Sequence, residues 1–167
     1  MKTAIETERK FIIKMPDISE LSVMEKYTSD EIEQIYLPSA EGRTHRVRSR
    51  RTKDGVVYTE TEKIRISAAS AIEKEGEISE ARFNELRRTI LHGTAVIKKT
   101  RHTFVYGGQV FEIDIYPQWK SSAIMEAELP SEDTALEIPE VITVIREVTG
   151  NKAYSNAAMA RSFPPED

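Results

Sequence analysis

Apolar and charged side chains alternate along most of this chain. Between residues 4 and 14, Ile5, Phe11 and Ile13 share one side while Glu6, Glu8 and Lys10 share the other. A period of two is that of a β-strand, whose successive side chains point to opposite faces. The same reading predicts strands over residues 32–37, 44–51, 56–65, 72–78, 95–106, 109–117 and 123–129. Turn residues separate them at Pro38 to Gly42, Lys53-Asp54-Gly55 and Gly107-Gly108. The last two predict hairpins, because glycine supplies the positive φ of tight connections. A two-residue loop at Gly107-Gly108 sets Phe104 opposite Phe111 as a cross-strand aromatic pair.

Four stretches predict helix. Residues 19–25 carry Leu21 and Met24 behind a Ser19 cap. Residues 79–91 place Phe83, Leu86, Ile90 and Leu91 at helical spacing after Ser79, with Arg82 where a complete capping box has Glu. Residues 139–148 put Val141, Ile142, Ile145 and Val148 on one face, and Gly150 offers a stop. Ser155 caps a last short helix reaching Arg161. No internal repeat or long linker divides residues 1–167. The expectation is one α+β domain with about eight mainly antiparallel strands, long enough to bury roughly 70% of its unfolded surface.

Composition narrows the chemistry. Twenty-four Lys and Arg against 28 Asp and Glu give a net charge of −4, which argues against a nucleic-acid coat. The absence of cysteine excludes disulfides, thiolate zinc sites and Cys nucleophiles. His45, His92 and His102 are too scattered for a zinc site, so any metal is expected to be a hard cation held by carboxylates. No apolar leader opens the sequence and no window is long enough to span a bilayer, which sets a cytoplasmic, membrane-free expectation.

Charges of one sign recur in phase on single strands. Arg46, Arg48 and Arg50 share a face, as do Thr59, Thr61, Lys63 and Arg65. So do Glu73, Glu75 and Glu77, then Lys99 and Arg101, Glu112 and Asp114, and Glu126 and Glu128. One reading is the solvent side of an antiparallel sheet. Yet such a side ordinarily mixes Thr, Ser, Lys and Glu, and like charges close together on one face repel. The other reading closes the strands into a barrel with charged faces inward. Buried charges then need pairing, hydration or bound ions. A polyphosphate with a divalent ion meets both demands, since Arg and Lys grip phosphate oxygens while carboxylates hold Mg²⁺ or Mn²⁺.

Glu6-Thr7-Glu8-Arg9-Lys10 is an E-x-E-x-K pattern that resembles the signature of the CYTH family, the triphosphate tunnel metalloenzymes. In order along the chain, Arg46-Val47-Arg48 resembles the family's R-x-R strand, Thr61-Glu62-Lys63 its T-x-K, and residues 73–78 its E-x-E-x-x-I run. Lys99-Thr100-Arg101 resembles K-x-R, Glu112-Ile113-Asp114 E-x-D, and Glu126-Ala127-Glu128 the second E-x-E, while residues 146–160 are similar to the ending of small bacterial members. The resemblance implies an eight-stranded antiparallel tunnel binding a triphosphate and one or two divalent ions. It implies Glu6, Glu8, Glu126 and Glu128 as metal ligands, and Lys10, Arg46, Arg48, Lys63, Lys99 and Arg101 as phosphate-binding cations. Lys10, Glu73, Glu75, Glu112 and Asp114 are the candidate catalytic residues, the carboxylates orienting water, assisting a second metal or balancing charge. One position departs from the pattern: Ala71 stands where the family often has Arg, with Arg65 or Lys74 as candidates to compensate.

Other residues carry plainer expectations. His45 and His102 fall out of phase with the inward cations and are assigned to surface or packing roles, and Tyr116 and Trp119 to rim packing. Arg50 and Arg65 are read either as tunnel-mouth cations or as solvated surface charges, and Glu77 is expected only to balance charge. Phe11, Ile13, Phe111, Ile113 and Ile115 read as core beneath the helices. The expected activity is metal-dependent hydrolysis of a small triphosphate, inorganic tripolyphosphate first. A thiamine triphosphatase or a class IV-type adenylate cyclase is the alternative within the family. A non-catalytic polyphosphate- or nucleotide-binding module is the alternative from another class, and a homodimer is compatible with the sequence.

Overall fold

In a computed structural model that describes all 167 residues, the alternating segments form strands. These are β1 (Lys2–Lys14), β2 (Glu25–Leu37), β3 (Arg43–Thr52), β4 (Gly55–Arg65) and β5 (Ser70–Ile78). They continue as β6 (Ile97–Tyr106), β7 (Gln109–Ile115), β8 (Ser122–Glu128) and β9 (Val144–Glu147). Three helices interrupt them: α1 (Ile18–Leu21), α2 (Glu80–Arg87) and α3 (Asn156–Arg161). The neighbour order β5-β4-β3-β2-β6-β7-β8-β1 closes through β5–β1 pairing into an eight-stranded antiparallel barrel. The α+β closed barrel expected from the sequence is therefore present.

Closure depends on β1. One edge pairs Glu8–Lys14 with β8. The other pairs Lys2–Thr7 with β5 and Phe11–Ile13 with the extra strand β9. Between those two partners the Glu8 amide donates to the Ala69 carbonyl and the Lys10 carbonyl accepts from Val148. The chain therefore parts around residues 8–10, and Gly150 packs against Ala68 there. A Cβ at Gly150 would come 2.7 Å from that of Ala68, and its φ of +74° is itself costly for other residues.

The apolar sides make three clusters. Phe11, Ile13, Phe104, Phe111, Ile113 and Met125 face outward beneath Leu21 of α1 and Ile142, with Ile115 packed at their edge. Ile35, Leu37 and Val47 are covered by Phe83 of α2. The third cluster lies at one end of the barrel, where Ile12, Tyr36, Ile97, Tyr116 and Ile124 meet Trp119, Tyr154 and Met159. Ile12 is in phase with Glu8 and Lys10, so this end of the interior is packed with apolar side chains. The turn behaves as predicted: Phe104 pairs with Phe111 across the Gly107-Gly108 loop, their rings stacked 5.4 Å apart.

Three elements differ from expectation. Residues 139–148 are a turn followed by β9, not a helix. Their β-branched residues suit extended backbone, and the edge of β1 left free by β5 offers hydrogen bonds. The supposed helical face does not exist, since Val141 and Ile145 are about 40% exposed. The helix expected at 19–25 is one turn capped by Asp17, and Glu25 already begins β2. That strand starts seven residues earlier than predicted, because its first half carries too few apolar residues to show a period. The helix at 79–91 has its Ser79 cap but ends at Arg87, after which the Leu91 amide donates to the Tyr36 carbonyl.

Phe104 and Phe111 are both fully buried. Replacing Phe111 with Ala should cost about 3–5 kcal/mol of stability, measured by chemical denaturation.

Candidate active site

The in-phase charged residues do turn inward, around a cavity of about 840 Å³. Twenty-eight residues line it, of which only four are hydrophobic, so it is a site for a polar ligand. All four residues of the two E-x-E motifs reach it, as do Lys10, Arg46, Arg48, Lys63, Arg101, Glu73, Glu75 and Glu112. Lys99 and Asp114 do not. Both are fully buried inside the barrel beyond the cavity, joined Nζ to Oδ2 at 2.7 Å. Lys99 therefore holds Asp114, whereas the resemblance made it a phosphate ligand.

Register explains how the charges meet. Lys63 lies opposite Glu73, and Arg65 opposite Ala71, across β4–β5. Arg65 lines the cavity and faces the small residue in the departing position, whereas Lys74 is exposed on the outer side. On β1–β8, Glu8 lies opposite Glu128 and Lys10 opposite Glu126. Lys10 Nζ is 3.6 Å from Glu126 and donates to the Tyr154 carbonyl at 3.1 Å. Lys63 sits 2.8 Å from Glu6 and 3.8 Å from Glu73.

Arg101 is held from two sides. Its Nε and Nη2 donate to Asp114 at 2.7 and 2.8 Å, and its Nη1 donates to Glu112 at 2.6 Å. A fork bound this way cannot rotate. Burial works against the Asp114 carboxylate, but Arg101 and Lys99 keep it well below the usual range. Lys99 itself is pulled down to about 7 by burial and by the Arg101 and Arg48 charges, despite Asp114. Asp114 is thus ionised, and Lys99 holds its proton weakly.

Strand β2 supplies residues that no motif marked. Asp30 accepts from Arg50 at 2.6 Å. Gln34, fully buried, accepts from Arg48 Nε at 2.9 Å and Nη2 at 2.6 Å, and donates to the Tyr36 hydroxyl at 2.6 Å. Only the alternation Asp30, Gln34, Tyr36 hinted at an inner face, and Ile32 between them blurs it. Asn156 of α3 accepts from the Tyr116 hydroxyl at 2.8 Å and lines the cavity. The residues read as packing are packing: His102 stacks on Tyr27 and bonds its hydroxyl, and Trp119 and Tyr116 lie in the apolar end. His45 stands 3.4 Å from Glu60 on the outer side.

Three buried atoms at the cavity lack a hydrogen-bond partner, and one of them, Glu6 Oε2, is in an ion pair with Lys63 at 2.8 Å. Glu8 Oε2 is an unpaired acceptor and Arg46 Nε an unpaired donor. Burial and the neighbouring Glu126 carboxylate push the Glu8 carboxyl well above its ordinary value. Burial and contact with Glu6 raise Glu73 to about 7, and burial with the Glu112 charge does the same for Glu128. Burial also acts on Glu6, but Lys63 more than offsets it, holding Glu6 near 2. Crowded, reluctant carboxylates of this kind fit a hard divalent cation. No three such groups converge closely enough to hold an ion alone. An ion at this site would therefore need phosphate and water to complete its shell.

Solved structures resemble most of the chain. The inorganic triphosphatase NE1496 is 28% identical over 96% of this chain and 97% of its own, with a TM-score of 0.60. PH1819 from Pyrococcus horikoshii, 22% identical over 77% of this chain and 80% of its own (TM-score 0.58), shares the fold. So does a putative adenylate cyclase from Bacillus halodurans, 17% identical over 79% and 84% (TM-score 0.52). No family model and no curated protein matches the chain. The likeness to the inorganic triphosphatase is consistent with the resemblance to the CYTH family carried by the ordered motifs.

The raised carboxyl groups make stability pH-dependent. Glu73 and Glu128 titrate near 4.5 when unfolded and near 7 when folded, so the folded protein binds more protons in that window. Stability present below pH 4.5 is lost as pH rises through 7. His102, lowered by burial, opposes this below 6.5, and Lys99, lowered to about 7, opposes it above pH 7; between pH 5 and pH 7 the two carboxyls and Glu8 outnumber His102. The metal-free melting temperature should therefore fall between pH 5 and pH 7, and saturating Mg²⁺ should flatten that decline.

Proposed function

We propose that this chain hydrolyses a small triphosphate, inorganic tripolyphosphate first, with a divalent cation beside it. The observation that carries the reading is one cavity with an unpaired buried donor on Arg46 and an unpaired buried acceptor on Glu8. A polyanion alone satisfies the first and a cation alone the second. A metal-bound polyphosphate satisfies both. The likeness to an inorganic triphosphatase over nearly the whole chain supports the same class.

In this scheme Arg46, Arg48, Lys63, Lys10 and Arg101 hold phosphate oxygens from several strands. Mg²⁺ or Mn²⁺ would be held by one or two of Glu6, Glu8, Glu126 and Glu128, with phosphate and water completing its shell, and would supply charge neutralisation at those oxygens. Water attacks the terminal phosphorus, the bond to the bridging oxygen breaks, and orthophosphate and pyrophosphate leave. Glu73, Glu75 and Glu112 line the cavity, and in this reading they orient that water. Asp114 is fully engaged by Arg101 and Lys99, so its role is to position them. Cavity composition favours a substrate with nothing but phosphate: Tyr36 is the one aromatic side chain lining it, and it is tied to Gln34. A base or thiazole ring finds no stacking surface there.

Phosphate release from tripolyphosphate, thiamine triphosphate and ATP, with Mg²⁺ and Mn²⁺ varied and cyclic AMP measured in parallel, tests the reading. Tripolyphosphate should be strongly preferred. Cyclic AMP formation would move the chain to the cyclase alternative, and tight binding without turnover would make it a binding module. Arg48→Ala should lower kcat/KM by about a hundredfold or more, and Glu8→Gln should abolish metal-dependent turnover, both with an unchanged circular dichroism spectrum.

A further inference from the structure

The buried cations at this site are not treated alike. Arg101 faces Asp114 and Glu112, and Lys99 faces Asp114. Among less buried ones, Arg50 faces Asp30, Lys63 faces Glu6, Lys10 faces Glu126, and Arg46 lies 3.9 Å from Glu75. Arg48 is the only buried Lys or Arg without a carboxylate within 4 Å. Its partner is the neutral amide of Gln34, which occupies the place a carboxylate holds elsewhere.

The chemistry of that contact is fixed by valence. A guanidinium only donates, so the Gln34 oxygen must face Arg48 and the amide nitrogen must face the Tyr36 hydroxyl. Two of the three guanidinium nitrogens are thereby held, while Nη1 makes no hydrogen bond within the protein. The amide orients the fork without cancelling its charge. Burial and the Arg46 and Arg101 charges bring Arg48 down to about 9, so its charge is held against opposition from two other cations.

We infer that Gln34 is a positioning residue that fixes Arg48 toward the cavity while leaving its charge uncompensated, making Arg48 the principal anchor for the bound polyphosphate. This rests on the proposed triphosphate reading and goes beyond it: the anion affinity of the site is set by a neutral residue on a strand without charged motifs. Glutamate at this position would accept the same two hydrogen bonds, and the Tyr36 hydroxyl can turn to donate to it. Packing and geometry are kept, and only the charge balance changes.

The test compares wild type with Gln34→Glu in free-protein melting temperature and in tripolyphosphate affinity by calorimetry. Gln34→Glu should melt at the same temperature or higher, yet bind tripolyphosphate about ten- to a hundredfold more weakly, corresponding to one charged hydrogen-bond partner lost. In turnover the loss should appear mainly as a raised KM. Asp30→Asn is the converse variant: it gives Arg50 a neutral partner and should tighten tripolyphosphate binding, which keeps the idea testable if Gln34→Glu does not fold. Equal affinity of folded Gln34→Glu and wild type overturns the inference and leaves the triphosphate reading standing. So does an Asp30→Asn affinity no higher than wild type, should that be the only folded variant. Failure of wild type to bind tripolyphosphate at all overturns both.

Discussion

Placing charge inside a closed barrel is the constraint from which the rest of this protein follows. A carboxylate or guanidinium removed from water is costly unless a partner of opposite sign meets it with good geometry. Asp114 is about 1% exposed and accepts from both Arg101 and Lys99, and this triad sets the inner wall of β6 and β7. Antiparallel register makes such pairings possible, because it brings Arg101 opposite Asp114 and Lys63 opposite Glu73. Shifting either ladder by one residue would move every charge to the apolar outer side.

The interior divides along its length for the same reason. One end is filled by Ile12, Ile97, Tyr116 and Ile124 and closed by α3, so charges are confined to the remaining space. Confinement brings carboxylates near one another, which raises Glu8, Glu73 and Glu128, and brings Arg46, Arg48 and Arg101 together. A site strained in both directions gains most from a ligand carrying both signs. The unpaired atoms of Glu8 and Arg46 mark where the protein alone does not complete the pairing.

Apolar packing outside the barrel makes this tolerable. Phe104, Phe111, Ile113 and Met125 give the sheet a dry outer side beneath α1 and Ile142, and Phe83 of α2 does the same over β3. A buried outer side obliges the alternating inner side to face the lumen, since the residue period is two. The hydrophobic pattern thus directs the charges as much as the charges define the cavity.

The residues themselves determined most of this. A two-residue period over eight segments sets the strands, and the Gly107-Gly108 turn sets one register, because both are local properties of the backbone. The in-phase charges and their order carried the resemblance, and with it the set of candidate residues. Local information failed where partners are distant. Val144 to Glu147 became a strand because β1 had a free edge, and of the supposed helical face only Ile142 and Val148 found a core. Strand β2 began early because β6 offered it a ladder. That Lys99 turns away to Asp114, and that Arg48 meets an amide while its neighbours meet carboxylates, depends on which side chains closure brings within 3 Å. Charge in sequence says which groups must be paired, but the pairing itself is an energy of position, and only the closed barrel assigns positions.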